Sequence, residues 1–89
     1  NLEYFPEQGK TNPFLHINLH LALQDQLTLN RPNGINDIYK KLIEVHSDAH
    51  EVEHLMMECI AEMIYQSQKN NTTLDQDNYL ISLKNLVQN

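Results

Sequence analysis

Residues 47–69 read SDAHEVEHLMMECIAEMIYQSQK, and their periodicity decides the fold. His50, His54, Met57, Ala61 and Ile64 recur at intervals of three and four residues, the spacing that gathers side chains on one face of an α-helix. Ser47 or Asp48 is a capping residue at the head of this run, and Asp48 with Glu51 has an acidic analogue of capping-box spacing. Glu51, Glu58 and Glu62 fall together on another face and read as a solvated side. The stretch is therefore predicted to be the longest helix of the chain, ending near Lys69. Asn70-Asn71-Thr72-Thr73 terminates it.

The same reading extends outward in both directions. Asn12-Pro13 is a helix-start signal, and Phe14, Leu15, Ile17, Leu19, Leu21, Leu23 and Leu27 carry a helix to about Leu29. Asn30-Arg31-Pro32-Asn33-Gly34 is a turn. Ile35, Ile38, Leu42 and Val45 then form a short amphipathic helix that His46 closes. Thr73 with Gln76 fits a capping box for a last helix with Tyr79, Leu80, Leu83 and Leu86 or Val87 on its apolar stripe. No strand-like alternation, internal repeat or low-complexity tract is present. The expected fold class is all-α, a small bundle of three or four helices with short connections and hence antiparallel neighbours. Residues 1–89 form a single helical domain in this reading, with 1–11 an irregular lead-in.

Eighty-nine residues leave room for one core, and about 64% of the unfolded chain's surface is hidden by folding at this size. Such a core is thin, and a metal ion, a partner or a second copy would strengthen it. Twelve acidic residues against six basic ones give a net charge of −6. That balance argues against nucleic acid, which needs a basic stripe, and against anionic membrane surfaces. The lone Cys59 excludes an internal disulfide, and no signal peptide or membrane span is legible. The expected location is the cytoplasm.

All five histidines lie between positions 16 and 54, and 16/20, 46/50 and 50/54 are each four apart. Four residues on a helix is one turn, so both imidazoles of such a pair can reach one ion. On the first helix, His16 and His20 fall in the same arc as Leu19, Leu23 and Leu27. On the third, His50 and His54 fall with Met57, Ala61 and Ile64, and Glu53 enters the flank of that buried arc. Buried charge is usually paired or metal-bound. If neighbours are antiparallel, the first and third helices run parallel, and the two histidine pairs sit at depths differing by about 3 Å at helical rise. His16, His20, His50 and His54 can then converge on one ion, with Glu53 as ligand or acceptor. Neutral imidazoles suit several transition metals, zinc and iron foremost here.

Other readings of the same residues stay open. A His/Glu network in a metal-free helical interaction module would also place histidines in apolar arcs. His50-Glu51-Val52-Glu53-His54 fits both H-E-x-x-H and H-x-x-E-H, patterns of metal-dependent hydrolases. Neither a third downstream histidine nor a strand edge to hold a peptide accompanies it. Glu51-x-x-His54 has the spacing of di-iron bundles, but the sequence holds one copy. His46 closes a helix, where its charge is favourable without any ligand. Met56, Met57 and Met63 read as core filler, and Cys59 as a half-buried thiol turned away from His50.

Two stretches resemble a bacterial family known only as a domain of unknown function: Pro6-Glu7-x-Gly9-x-x-Asn12-Pro13-Phe14-Leu15-His16-x-x-x-His20 and His50-Glu51-x-Glu53-His54-x-Met56-Met57-Glu58-Cys59. Pro32-x-Gly34-Ile35 also fits, and the similarity runs from about Tyr4 to Tyr79. Members of that family usually carry a helical segment before the first motif. The resemblance therefore implies that this chain lacks an N-terminal part; that segment or a homodimer partner is the expected means of completing the core. It implies no activity.

Overall fold

In the computed structural model, residues 13–88 are described, and they form four helices and no strand. These are α1 (Pro13–Leu29), α2 (Ile35–His46), α3 (Ala49–Asn70) and α4 (Gln76–Gln88). The 22 residues of α3 make a rod of about 33 Å, close to the 34 Å longest dimension of the molecule. It packs against all three other helices, and α2 does likewise. The helices α1 and α4 sit diagonally, with no Cα pair between them within 8 Å.

Local chemistry sets each boundary. Asn30, at φ 52°, is the left-handed residue that stops α1, and the Arg31 amide donates back to the Gln26 carbonyl at 3.0 Å. This is the six-to-one bond of a Schellman ending. The Asn30 side chain also accepts from the Asn36 amide at 3.1 Å, supplying the cap that Gly34, the residue before α2, lacks. Ser47 ends α2 with φ 60° and a 2.7 Å bond to the Ile43 carbonyl. Asp48 then caps α3, its Oδ1 accepting from the amides of His50 and Glu51 at 2.9 and 3.3 Å. Asn71 and Thr72 close α3 with a second Schellman pair, donating to Gln68 and Ser67.

One sequence expectation changes. The last helix begins at Gln76, and Asp75 caps it by accepting from the Asn78 amide at 3.0 Å. Thr73 and Gln76 therefore do not make the capping box. A carboxylate next to the first turn also gains from the helix dipole, and it displaces the more distant threonine. The irregular lead-in 1–11 and the Asn12 cap lie outside the described residues.

Ile35, Leu42, Val52, Met56, Ile60 and Leu83 are fully enclosed, and Met57, Met63, Ala61 and Tyr79 complete the centre. The three methionines are core filler as their spacing implied. Each such side chain contributes about 1.5–3 kcal/mol relative to leaving it in water. The first helix, α1, adds only Leu19 and Leu23 as buried residues. A polar tie supplements them. The buried Tyr79 hydroxyl of α4 donates to Gln26 Oε1 of α1 at 2.6 Å. Burial raises the Tyr79 pKa well above its usual 10.0, so the phenol remains the donor. No helix is long and apolar enough to cross a membrane among the described residues.

Candidate metal centre

The first two turns of α1 contain His16 and His20, and the second turn of α3 contains His54. Gln26, two to three turns further along α1, reaches Tyr79, which in turn lies beside Cys59 of α3. Positions therefore advance in the same sense on both helices, and α1 and α3 run parallel. This brings the two helix starts to one end of the bundle.

Three imidazoles meet there. One ring nitrogen from each of His16, His20 and His54 can be chosen so that all three lie within 4.8 Å of one another. The ring centroids are 4.6 Å apart for His16 and His20, 5.5 Å for His16 and His54, and 5.7 Å for His20 and His54. Tetrahedral zinc with about 2.0–2.1 Å bonds holds its nitrogens roughly 3.3 Å apart. The His16 and His20 Nε2 atoms already stand at 3.1 Å, and His54, being exposed, can close the remaining gap by side-chain rotation. In the metal-free protein this short contact is a hydrogen bond, one Nε2–H donating to the other lone pair. An ion would take both lone pairs, leaving each ring proton on Nδ1.

The electrostatics favour the neutral ligand form at His20. Its pKa is held below 6.5, first by burial and then by the positive charges that His16 and His54 would carry; His50 adds to this and Glu53 opposes it.

The remaining expected residues occupy different places. His50, one turn before His54, has its ring 6.2 Å from that of His54 and stands outside the group of three. Glu53 is half-buried and accepts a 3.3 Å hydrogen bond from the Tyr39 hydroxyl of α2. Burial, followed by the Glu53 charge, raises the Tyr39 pKa, so the phenol stays protonated and donates. Tyr39 was not singled out by the sequence. The only signal was indirect: a carboxylate on a partly apolar flank requires a partner, but its identity depends on helix packing. Glu51 faces His46, with 3.9 Å between Oε2 and Nδ1, and the other ring nitrogen of His46 is enclosed without a hydrogen-bond partner.

Burial departs from the sequence expectation. No polar or charged residue among those described is buried; His16 and His20 are half-buried and His54 and His50 are exposed. The buried residues of α1 begin at Leu19, and Leu15 before it packs against the core while only partly covered. The histidine arc therefore ends at the rim of the bundle. On another side of α3, a cavity of about 590 Å³ runs along α4 and contains Cys59 but no histidine. Burial, then Glu58 and Glu62, pushes the Cys59 thiol up to about 11. It remains protonated near neutrality, which rules it out as a ready thiolate ligand or nucleophile there.

Fold and site together define a small four-helix domain with a tripod of imidazoles at one end. The chain belongs to the family described as Domain of unknown function (DUF1841), whose model matches residues 1–85. No curated protein and no solved structure matches it significantly.

Proposed function

We propose that the protein binds one transition-metal ion through His16, His20 and His54, with zinc or iron as the occupant. The observation that carries this reading is the convergence of three ring nitrogens, from two helices, within 4.8 Å. Three imidazoles without a thiolate or several carboxylates suit the borderline metals. His50 and Glu53 lie next to the tripod, and Glu53 acts on His20 as a nearby negative charge. An ion here would join α1 to α3 at the end of α1 where no described residue before Leu19 is buried. Its binding energy would thus add to folding energy, as in other small metal-stabilised domains. The net charge of −6 further favours a cation over a nucleic-acid partner. A free cysteine fits a reducing cytoplasm.

A metal-free interaction module is the second reading. It is favoured by Ile17 and Leu21, 54% and 53% exposed on neighbouring turns of α1. Elemental mass spectrometry on untagged, gel-filtered protein separates the two. About one zinc or iron per chain, lost on chelation together with thermal stability, is the expected result. Traces that wash away, with melting unchanged by chelator, would overturn the metal reading and leave the interaction module.

A further inference from the structure

The tripod supplies three donors, and the placement of its neighbours indicates what becomes of the fourth position. His50 is the nearest additional imidazole, but it stands outside the group of three, with its ring 6.2 Å from that of His54. Glu53 is held from α2 by the Tyr39 hydroxyl at 3.3 Å. Glu51 is turned to His46. Cys59 lines the separate cavity along α4. Meanwhile His54 is exposed and His16 and His20 are half-exposed, so none of the described residues closes the cluster off from solvent. Three protein ligands with an accessible fourth position are the pattern of exchangeable sites, whereas structural sites use four protein ligands.

We infer that an ion held by His16, His20 and His54 keeps one coordination position for an exchangeable ligand from solution, a water molecule replaceable by a small carboxylate. This rests on the metal-binding reading above. A carboxylate fits because an ion bound by three neutral imidazoles keeps its full positive charge, and because an oxygen donor is compatible with the borderline metals that imidazole selects. Exchange is simple ligand substitution: the carboxylate oxygen forms a bond to the ion as the water leaves, with no change in oxidation state.

The test uses the full chain loaded with cobalt(II), whose visible absorption responds to each change in coordination, and titrates it with acetate. A saturable spectral change is expected in the wild type. The same change is expected in His50→Ala, with a midpoint within about twofold, the size of an ordinary surface-substitution effect. A silent wild type combined with an acetate response in His50→Ala would show that His50 fills the fourth position, overturning the inference while leaving metal binding intact. A silent wild type and silent His50→Ala, with the cobalt spectrum present, would also overturn it. Absence of any cobalt spectrum would overturn both the inference and the metal reading.

Discussion

Replacing His54 by alanine isolates the metal from the fold, because His54 is exposed yet supplies the only α3 ring in the group of three. Without metal, truncation of an exposed side chain away from the core changes stability by no more than about 0.5 kcal/mol. With free zinc at a hundred times the dissociation constant, binding stabilises the wild type by about 2.7 kcal/mol. A domain of this size shifts its melting temperature by about 4–8 °C per kcal/mol, so zinc should raise it by about 11–22 °C. Losing an outer partner of a ligand typically costs 10–100-fold in affinity, so losing a ligand costs about a hundredfold or more. At the same zinc concentration, His54→Ala then retains at most about RT ln 2, roughly 0.4 kcal/mol. This corresponds to a rise of only about 2–3 °C. Circular dichroism melts of both proteins, with zinc and with chelator, measure all four values. His50→Ala serves as a control from the same exposed rim and should keep most of the wild-type shift. An equal zinc shift in the wild type and His54→Ala would refute the ligand assignment, as would a loss confined to His50→Ala.

Three further predictions concern the metal-free protein. The folded pKa of His20 lies below 6.5, so the unfolded chain takes up its proton first as pH falls. This contribution is fully present above 6.5 and is lost as pH drops toward the folded value; urea midpoints across that window should fall more steeply for the wild type than for His20→Gln. Tyr79→Phe removes the hydroxyl but leaves half-exposed Gln26 able to meet water, at about 0.5–1.5 kcal/mol. Gln26→Ala leaves a buried hydroxyl unsatisfied, at about 1–3 kcal/mol, and the reverse order in denaturation would contradict the hydrogen bond's role. Raised from 9.0 to about 11, Cys59 should be alkylated about a hundredfold more slowly at pH 8 than an unperturbed thiol, unless unfolding agents are added.

Much of the fold follows from short-range chemistry. The Asn-Gly-containing turn, the Asp48 cap and the three-and-four apolar spacing of α3 act within a few residues, so they are legible without tertiary information. The start of α4 is ambiguous in the sequence because Thr73 and Asp75 both offer caps, and the carboxylate beside the first turn takes the role. The convergence of α1 and α3 was accessible because short connections impose antiparallel neighbours and therefore a parallel first and third helix.

Periodicity and capping residues alone indicate three or four helices, the boundaries of the first three, and the pairing of histidines one turn apart. Tertiary structure decided which imidazoles meet. His16 and His20 come together with His54, one turn deeper along α3 than His50. Packing also placed the cluster at the rim, since the buried positions of α1 begin only at Leu19. It set Tyr39 of α2 against Glu53 of α3, a contact between residues on different helices. Helical periodicity fixes the angle at which a side chain leaves its own axis. The level at which one helix lies against another depends on the packing of all their side chains, and a site built between helices is fixed only there.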